Sequence, residues 1–392
     1  MENLARESNR MNRREFLGTT GAAVASATLA YASPNETVPI GCIGVGGRGT
    51  YHLKHLLKMK NVAVKAICDI NPEHLEIAQK LVVEAGQPKP EGYSDWKKLL
   101  ASKDVDAVVS AVPVYLHAPC YLDTIAAGKD IYAEKPLSRT WAECETVMAA
   151  VSGSKVIFQI GYQRRADPHF LESIAQVHKG ELGRLIEGRV MWSNAWGPGG
   201  GWYGHRKLSG DWMVEQACHN WDVIVWANQC RPVRATGFGT TGLFRDTPVV
   251  VDSVENIVAI EPDRDVHDYY SGVVEFQNGV IVNILHSWVS PNKFDEEYTK
   301  LIGLRGGVDF NSGTFSYRPA TKLPDRPSSV EGKTDASFLA MEAFLNSVRT
   351  RSKPIATAEN GRDALLCSLL MREAVYTKQI VTLETIKKKQ HG

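Results

Sequence analysis

The stretch Val38-Pro39-Ile40-Gly41-Cys42-Ile43-Gly44-Val45-Gly46-Gly47-Arg48-Gly49 decides the first half of the molecule. An apolar run leads into Gly-x-Gly-x-x-Gly and on into a helix. The first Gly makes the tight turn, the second lets backbone approach a pyrophosphate, and the third allows close helix packing, while the helix N-terminus offers free N–H groups to an anion. A second apolar run, Val62 to Ile67, is followed by Asp69, placed to hold the ribose hydroxyls of an adenosine. Strand, glycines, helix, strand and acid in that order specify a dinucleotide site. Its contacts are expected at Gly44, Gly46, Gly47, Arg48, Gly49 and Asp69. An acid at Asp69 repels a 2′-phosphate, and Ile70-Asn71-Pro72 supplies no Arg or Lys to receive one, so NAD is expected rather than NADP. Arg48 could lie near either phosphate and keeps NADP open.

Outward from this turn the pattern repeats. Val105 to Val112, a helix from Ala118 to Ala127, and Asp130 to Ala133 continue an alternation of apolar strands and helices that indicates parallel βαβ units. The fold class expected is α/β. A doubly wound parallel Rossmann sheet spans 38–160, and an α+β domain with an open, mainly antiparallel sheet spans 161–383. Strands are expected at Leu185 to Trp192, Val233 to Thr241, Val254 to Ile260, Gly272 to Phe276, Val280 to His286 and Thr299 to Leu304. Gln277-Asn278-Gly279 carries a two-residue hairpin signal. Trp212 to Ala227 reads as a strong helix, and the closing helices, Phe338 to Arg349 and Arg362 to Lys378, are placed to pack back on the nucleotide domain. The open sheet is expected to pair with a second copy of the chain.

The 392 residues carry 45 Lys+Arg against 44 Asp+Glu, with 43% hydrophobic residues. That is a globular composition of two-domain size, without the basic face that nucleic acid requires. Seven cysteines with no CxxC spacing argue against a disulfide framework or a zinc site, and no metal is expected. Residues 1–32 resemble a twin-arginine signal peptide: Arg13-Arg14, then Phe16-Leu17, a weakly apolar run to Leu29, and Ala30-Tyr31-Ala32 as the cleavage site. That resemblance implies a folded, cofactor-loaded protein exported to the periplasm, without a membrane span after processing.

Pro113-Val114-Tyr115-Leu116-His117 and the later Glu134-Lys135-Pro136 carry a second resemblance. Pro-x-x-x-His after the fourth strand and Glu-Lys-Pro after the fifth mark the glucose-fructose oxidoreductase/inositol dehydrogenase/MocA (Gfo/Idh/MocA) family, and the likeness runs from about Val38 to Leu383. It implies an NAD-dependent oxidoreductase in which Lys135 binds the reacting hydroxyl and helps move its proton, with Pro113, His117 and Glu134 near the cofactor. Hydride leaving a carbinol carbon does require a titratable group at the hydroxyl. The family's Asp-x-x-x-His-x-x-Asp corresponds here to Glu215, His219 and Asp222, with Glu replacing the first Asp. His219 is then the general base, Glu215 a further catalytic candidate, and Asp222 either a substrate contact or a structural acid.

Sugar sites pair aromatic platforms with polar groups. Trp192, Trp196, Trp202 and Trp212 crowd one segment, and Gln163, Arg164 and Arg165 follow the domain crossover. Gln163, Arg164, Trp196 and Trp202 are the candidate substrate contacts. The expected function is transfer of hydride between a ring carbon of a sugar or glycoside and a tightly held NAD. The alternative is an NAD-dependent glycoside hydrolase or lyase resembling glycoside hydrolase family 109, which acts by transient oxidation and elimination. That group's Tyr-Pro-Thr-His segment is absent here, where Glu215 to His219 reads Glu-Gln-Ala-Cys-His.

Overall fold

The computed structural model describes residues 36–193, 200–242, 249–250, 257–258, 262–290, 294, 296–330, 332 and 334–390. The first domain runs β1 (Val38–Ile43), α1 (Gly47–Leu56), β2 (Val62–Cys68), α2 (Pro72–Glu84), β3 (Glu91–Tyr93), α3 (Trp96–Leu100), β4 (Ala107–Ser110), α4 (His117–Ala126), β5 (Asp130–Ala133), α5 (Trp141–Ser152) and β6 (Phe158–Ile160). The six strands are parallel in the order β3-β2-β1-β4-β5-β6. The order reverses between β1 and β4, so a crevice opens at the carboxyl ends of those strands. β4 and β5 are buried throughout, as strands covered on both faces must be. Helices α2 and α5 start at side-chain caps. Asn71 accepts the Glu73 N–H at 2.9 Å ahead of α2, and Thr140 accepts the Glu143 N–H at 3.2 Å ahead of α5.

The second domain contains α6 (Pro168–His178), β7 (Leu185–Ser193), α7 (Arg206–Ser209), α8 (Trp212–Glu215), α9 (Cys218–Asn228), β8 (Pro232–Thr241), β9 (Val249–Val250), β10 (Ile257–Val258), β11 (His267–Phe276), β12 (Ile281–Ser287), β13 (Glu296–Gly303), β14 (Gly306–Asp309) and β15 (Thr314–Tyr317). Then follow α10 (Ala336–Thr350), α11 (Ala358–Thr377), β16 (Val381–Thr382) and α12 (Leu383–Gln390). Eight strands form one sheet, ordered β15-β14-β13-β7-β12-β11-β8-β16, in which only the β7–β12 pair is parallel. α9 and α11 pack against this sheet, α11 also reaches α5 and β6, and α10 lies on α1, β1 and β5. The closing helices therefore bind the two halves together.

Three expectations change. The β11–β12 turn has three residues, Gln277 to Gly279, closed by the Phe276 N–H on the Val280 carbonyl at 2.9 Å, with Gly279 at φ +82°. Within Val254 to Ile260, the described strand is Ile257–Val258, paired with Val249–Val250 outside the large sheet. The helix expected from Trp212 to Ala227 is broken after Glu215. The His219 N–H, which would reach the Glu215 carbonyl in a continuous helix, bonds to Gln216 at 3.1 Å instead. The freed Glu215 carbonyl accepts the Lys135 Nζ at 2.6 Å, a partner that periodicity could not reveal.

Candidate active site

A cleft of about 850 Å³ runs from Asp69 and Ile70, over the glycine turn, to Lys135, Glu215, Trp202 and Tyr203. Its nucleotide end is built mostly of backbone. Gly44 has φ +77°, and a Cβ on Gly49 would sit 1.8 Å from the Gly44 carbonyl oxygen, so neither position admits a side chain. Gly47 faces open space, and the α1 cap at Gly46 has no side-chain acceptor. The Asp69 carboxylate is fixed by the N–H of Val45 and of Asn71, each at 2.8 Å. One lone pair on each of its oxygens remains for a ribose diol. Side-chain-free backbone, an uncapped helix N-terminus and a clamped acid fit a dinucleotide, held by Gly44 to Gly49 and Asp69.

Arg48 is directed elsewhere. Its Nε donates to Glu134 at 2.7 Å, and His52 Nε2 lies 2.6 Å from the same oxygen. The other Glu134 oxygen accepts the Lys135 N–H at 3.0 Å. Burial alone would raise the Glu134 pKa, but Arg48 and His52 hold the carboxyl well below the usual range. Glu134 thus joins the glycine helix to the Lys135 loop. His117 serves that loop too, its ring nitrogens 2.7 Å from the Pro136 carbonyl and 3.0 Å from that of Val112. Pro113 and His117 both line the cleft.

At the far end, Lys135 Nζ donates to both the carboxylate and the carbonyl of Glu215, each at 2.6 Å. Burial opposes the charge, yet Glu215 raises the Lys135 pKa above the ordinary lysine value, so the group is an ammonium. His219 is buried, with Tyr162 and Trp192 rings nearby. Burial, then the charges of Lys135 and Arg164, push its pKa well below the usual imidazole value. An ammonium donor thus lines the end of the cleft, and a buried, neutral imidazole lies within reach of its charge.

Asp222 lies apart from this pair. It is 1% exposed and takes a bidentate pair from Arg165, with Nε at 2.9 Å and Nη2 at 2.8 Å from Oδ1. Arg164 binds Glu297 and lies against the Phe170 and Trp192 rings. Buried atoms without a protein partner include Arg164 Nη1, Gln163 Oε1 and Gln216 Oε1. Trp202 stacks on Tyr203 at 3.8 Å between centroids, and Tyr203 on Trp212 at 5.2 Å, an aromatic stack of which Trp202 and Tyr203 line the cleft. Trp196 lies outside the described residues. Sequence reasoning did not single out His52 or Tyr162; their residue types are common in cores, and only the fold places them beside Glu134 and His219.

Comparisons with known proteins agree with this fold. Residues 38–162 match the family described as "Oxidoreductase family, NAD-binding Rossmann fold", and residues 170–309 match "GFO/IDH/MocA C-terminal domain". A Shewanella pealeana protein named "Glycosyl hydrolase family 109 protein" is 30% identical over 214 residues, 47% of this chain and 46% of the relative. The matched stretch thus spans about half the length of the curated relative. The structure of an aldose-aldose oxidoreductase from Caulobacter crescentus, complexed with glycerol, shares the fold with a TM-score of 0.72 at 20% identity, covering 89% of this chain and 100% of that one. An apo scyllo-inositol dehydrogenase from Lactobacillus casei gives 0.69 at 20%, covering 89% and 99%.

Proposed function

The chain belongs to the Gfo/Idh/MocA family of NAD-binding oxidoreductases, and from that premise we propose that it is an exported enzyme transferring hydride between NAD and a ring carbon of a neutral sugar or glycoside. The observation that carries the reading is the Lys135 ammonium lining the far end of a dinucleotide cleft, with the buried, neutral His219 close enough to feel its charge. Bound NAD supplies the hydride acceptor or donor. Lys135 donates a hydrogen bond to the carbinol oxygen and stabilises the negative charge that develops there. His219 takes the hydroxyl proton on an imidazole nitrogen, and returns it in the reverse direction. Glu215 keeps Lys135 protonated and oriented.

Charge balance supports a neutral substrate. Lys135 is paired with Glu215, Arg164 with Glu297 and Arg165 with Asp222, so the three cations are each balanced by an acid. The indole of Trp202, which lines the cleft, suits the C–H face of a sugar.

Residues 1–35 lie outside the described residues, so export rests on the Arg13-Arg14 pattern, and among described residues no helix is long and apolar enough to cross a membrane. Free NAD is scarce outside the inner membrane, so the nucleotide is carried out in place and regenerated within turnover. Arg13→Lys with Arg14→Lys is expected to retain the protein in the cytoplasm. The open sheet face of the second domain is the proposed contact with a second copy.

A second reading, glycoside cleavage with the same Lys135 and His219, is favoured by the names of the curated relatives. Purified protein is to be incubated, without added NAD, with free sugars and with aryl glycosides. Ketosugar or exchanged sugar supports the oxidoreductase, whereas released aglycone with no net oxidation supports cleavage.

A further inference from the structure

Asp211, immediately before α8, has φ +79° and ψ 159°. That extended, positive-φ region is one that essentially only glycine occupies without strain. Gln229, Lys322, Arg351 and Lys378 also have positive φ, but each lies in the ordinary left-handed region that ends a helix. Asp211 is 0% exposed, and every part of it is engaged. Its N–H donates to Ser209 Oγ at 3.0 Å, and its Oδ1 caps α8 by accepting the Met213 N–H at 3.1 Å. Oδ2 accepts the Tyr376 hydroxyl at 2.5 Å and the His267 N–H at 3.2 Å. The Asp211 carbonyl receives the N–H groups of Val214 and Glu215, both at 2.9 Å.

The direction of α8 is therefore set by one strained residue, anchored from behind by α11 through Tyr376 and by the start of β11 through His267. Arg372, also on α11, adds a bond to the Gly210 carbonyl at 3.1 Å. α8 is a single turn, and it ends at Glu215, whose carboxylate and carbonyl are the two acceptors of Lys135 Nζ. A change of backbone direction at Asp211 displaces both acceptors together.

We infer that Asp211 is a positioning residue, which uses its strained backbone and its bond to Tyr376 to hold Glu215 against Lys135. The side chains facing Lys135 are Glu215, Glu134, Cys218, His219, His117 and Tyr203. Of these, Glu215 alone touches Nζ by a charged hydrogen bond, so loosening α8 removes the main force that keeps Lys135 protonated.

Competitive acetylation of the intact protein with acetic anhydride, read by mass spectrometry across pH, measures this without any substrate. In Asp211→Gly, which tolerates the backbone but lacks the carboxylate, and in Tyr376→Phe, Lys135 is expected to acetylate about tenfold faster than in wild type near pH 9. Exposed Lys65 serves as the reference. Glu215→Gln is the positive control. A merely structural role would lower the melting temperature and leave the Lys135 pH profile in place. If Asp211→Gly does not fold, Tyr376→Phe decides, since it removes one hydroxyl and leaves the α8 cap intact. Wild-type Lys135 reactivity in the folded variants overturns the inference, as does an unchanged rate in Glu215→Gln.

Discussion

The two ends of the cleft are made of different material. At the nucleotide end the groups are main-chain amides and a clamped acid, all within 26 positions of Gly44 to Asp69. At the reacting end they are side chains from distant segments: Lys135 meets Glu215 across 80 positions, and apart from the cleft the buried Arg165 meets Asp222 across 57. Backbone sites are constrained by sterics, so they fail when atoms are added. Side-chain sites are constrained by charge pairing, and they fail when a partner is taken away.

The largest expected effect lies at the reacting end. Lys135→Ala and His219→Ala should each lower turnover by roughly 10² to 10⁴-fold with NAD still bound, because acid–base groups typically contribute that much. Steady-state kinetics beside a nucleotide titration checks this, and near-normal turnover removes that residue from the chemistry. Next comes Arg165→Met, which leaves the buried Asp222 carboxylate unpaired and should cost about 3–5 kcal/mol in denaturant unfolding. A loss under about 1 kcal/mol would mean that the pair contributes little to holding α9.

At the nucleotide end the comparison sharpens within a single motif. Gly49→Ala places a methyl on the Gly44 carbonyl and should abolish NAD binding, while Gly47→Ala meets nothing within 4 Å and should change affinity only a few-fold. Equal losses in calorimetric titrations would deny that packing, and not composition, selects these glycines. Asp69→Ser with Ile70→Arg should move preference toward NADP by removing a repelling carboxylate and adding a phosphate partner. Wild type that already prefers NADP contradicts the role given to Asp69.

This contrast also explains what the sequence disclosed. The Rossmann order, the glycine turn and Asp69 were legible because each demands particular residue types from its own neighbours. Lys135 and His219 were legible only through resemblance, and their geometry was not. Glu134 was expected near the cofactor, and only the fold shows Arg48 and His52 on its carboxylate. The break after Glu215 escaped the helical pattern because its cause, Lys135, lies on another element. Asp222 shared the right spacing with His219, but Arg165 claims it.

The smallest effect expected is on pH dependence. Burial first, then Lys135 and Arg164, hold the His219 pKa down, so the base form persists as pH falls, and the acid limb of kcat/KM should lie below about pH 6.5. Arg164→Met removes one positive neighbour and should move that limb upward. A limb at or above 6.5 in wild type would put a different base at the hydroxyl.

The central claim is that Lys135 and His219 act on a neutral sugar at a nucleotide that stays with the protein. Its most direct test is a single-turnover experiment on purified protein without added NAD, with bound nucleotide quantified by mass spectrometry and its redox state followed optically as neutral sugars and glycosides are added. Near-stoichiometric NAD or NADH is expected, changing redox state in step with ketosugar or alcohol formed and not responding in His219→Ala. Protein that carries no nucleotide, or nucleotide that no sugar or glycoside reduces or oxidises, would contradict that claim.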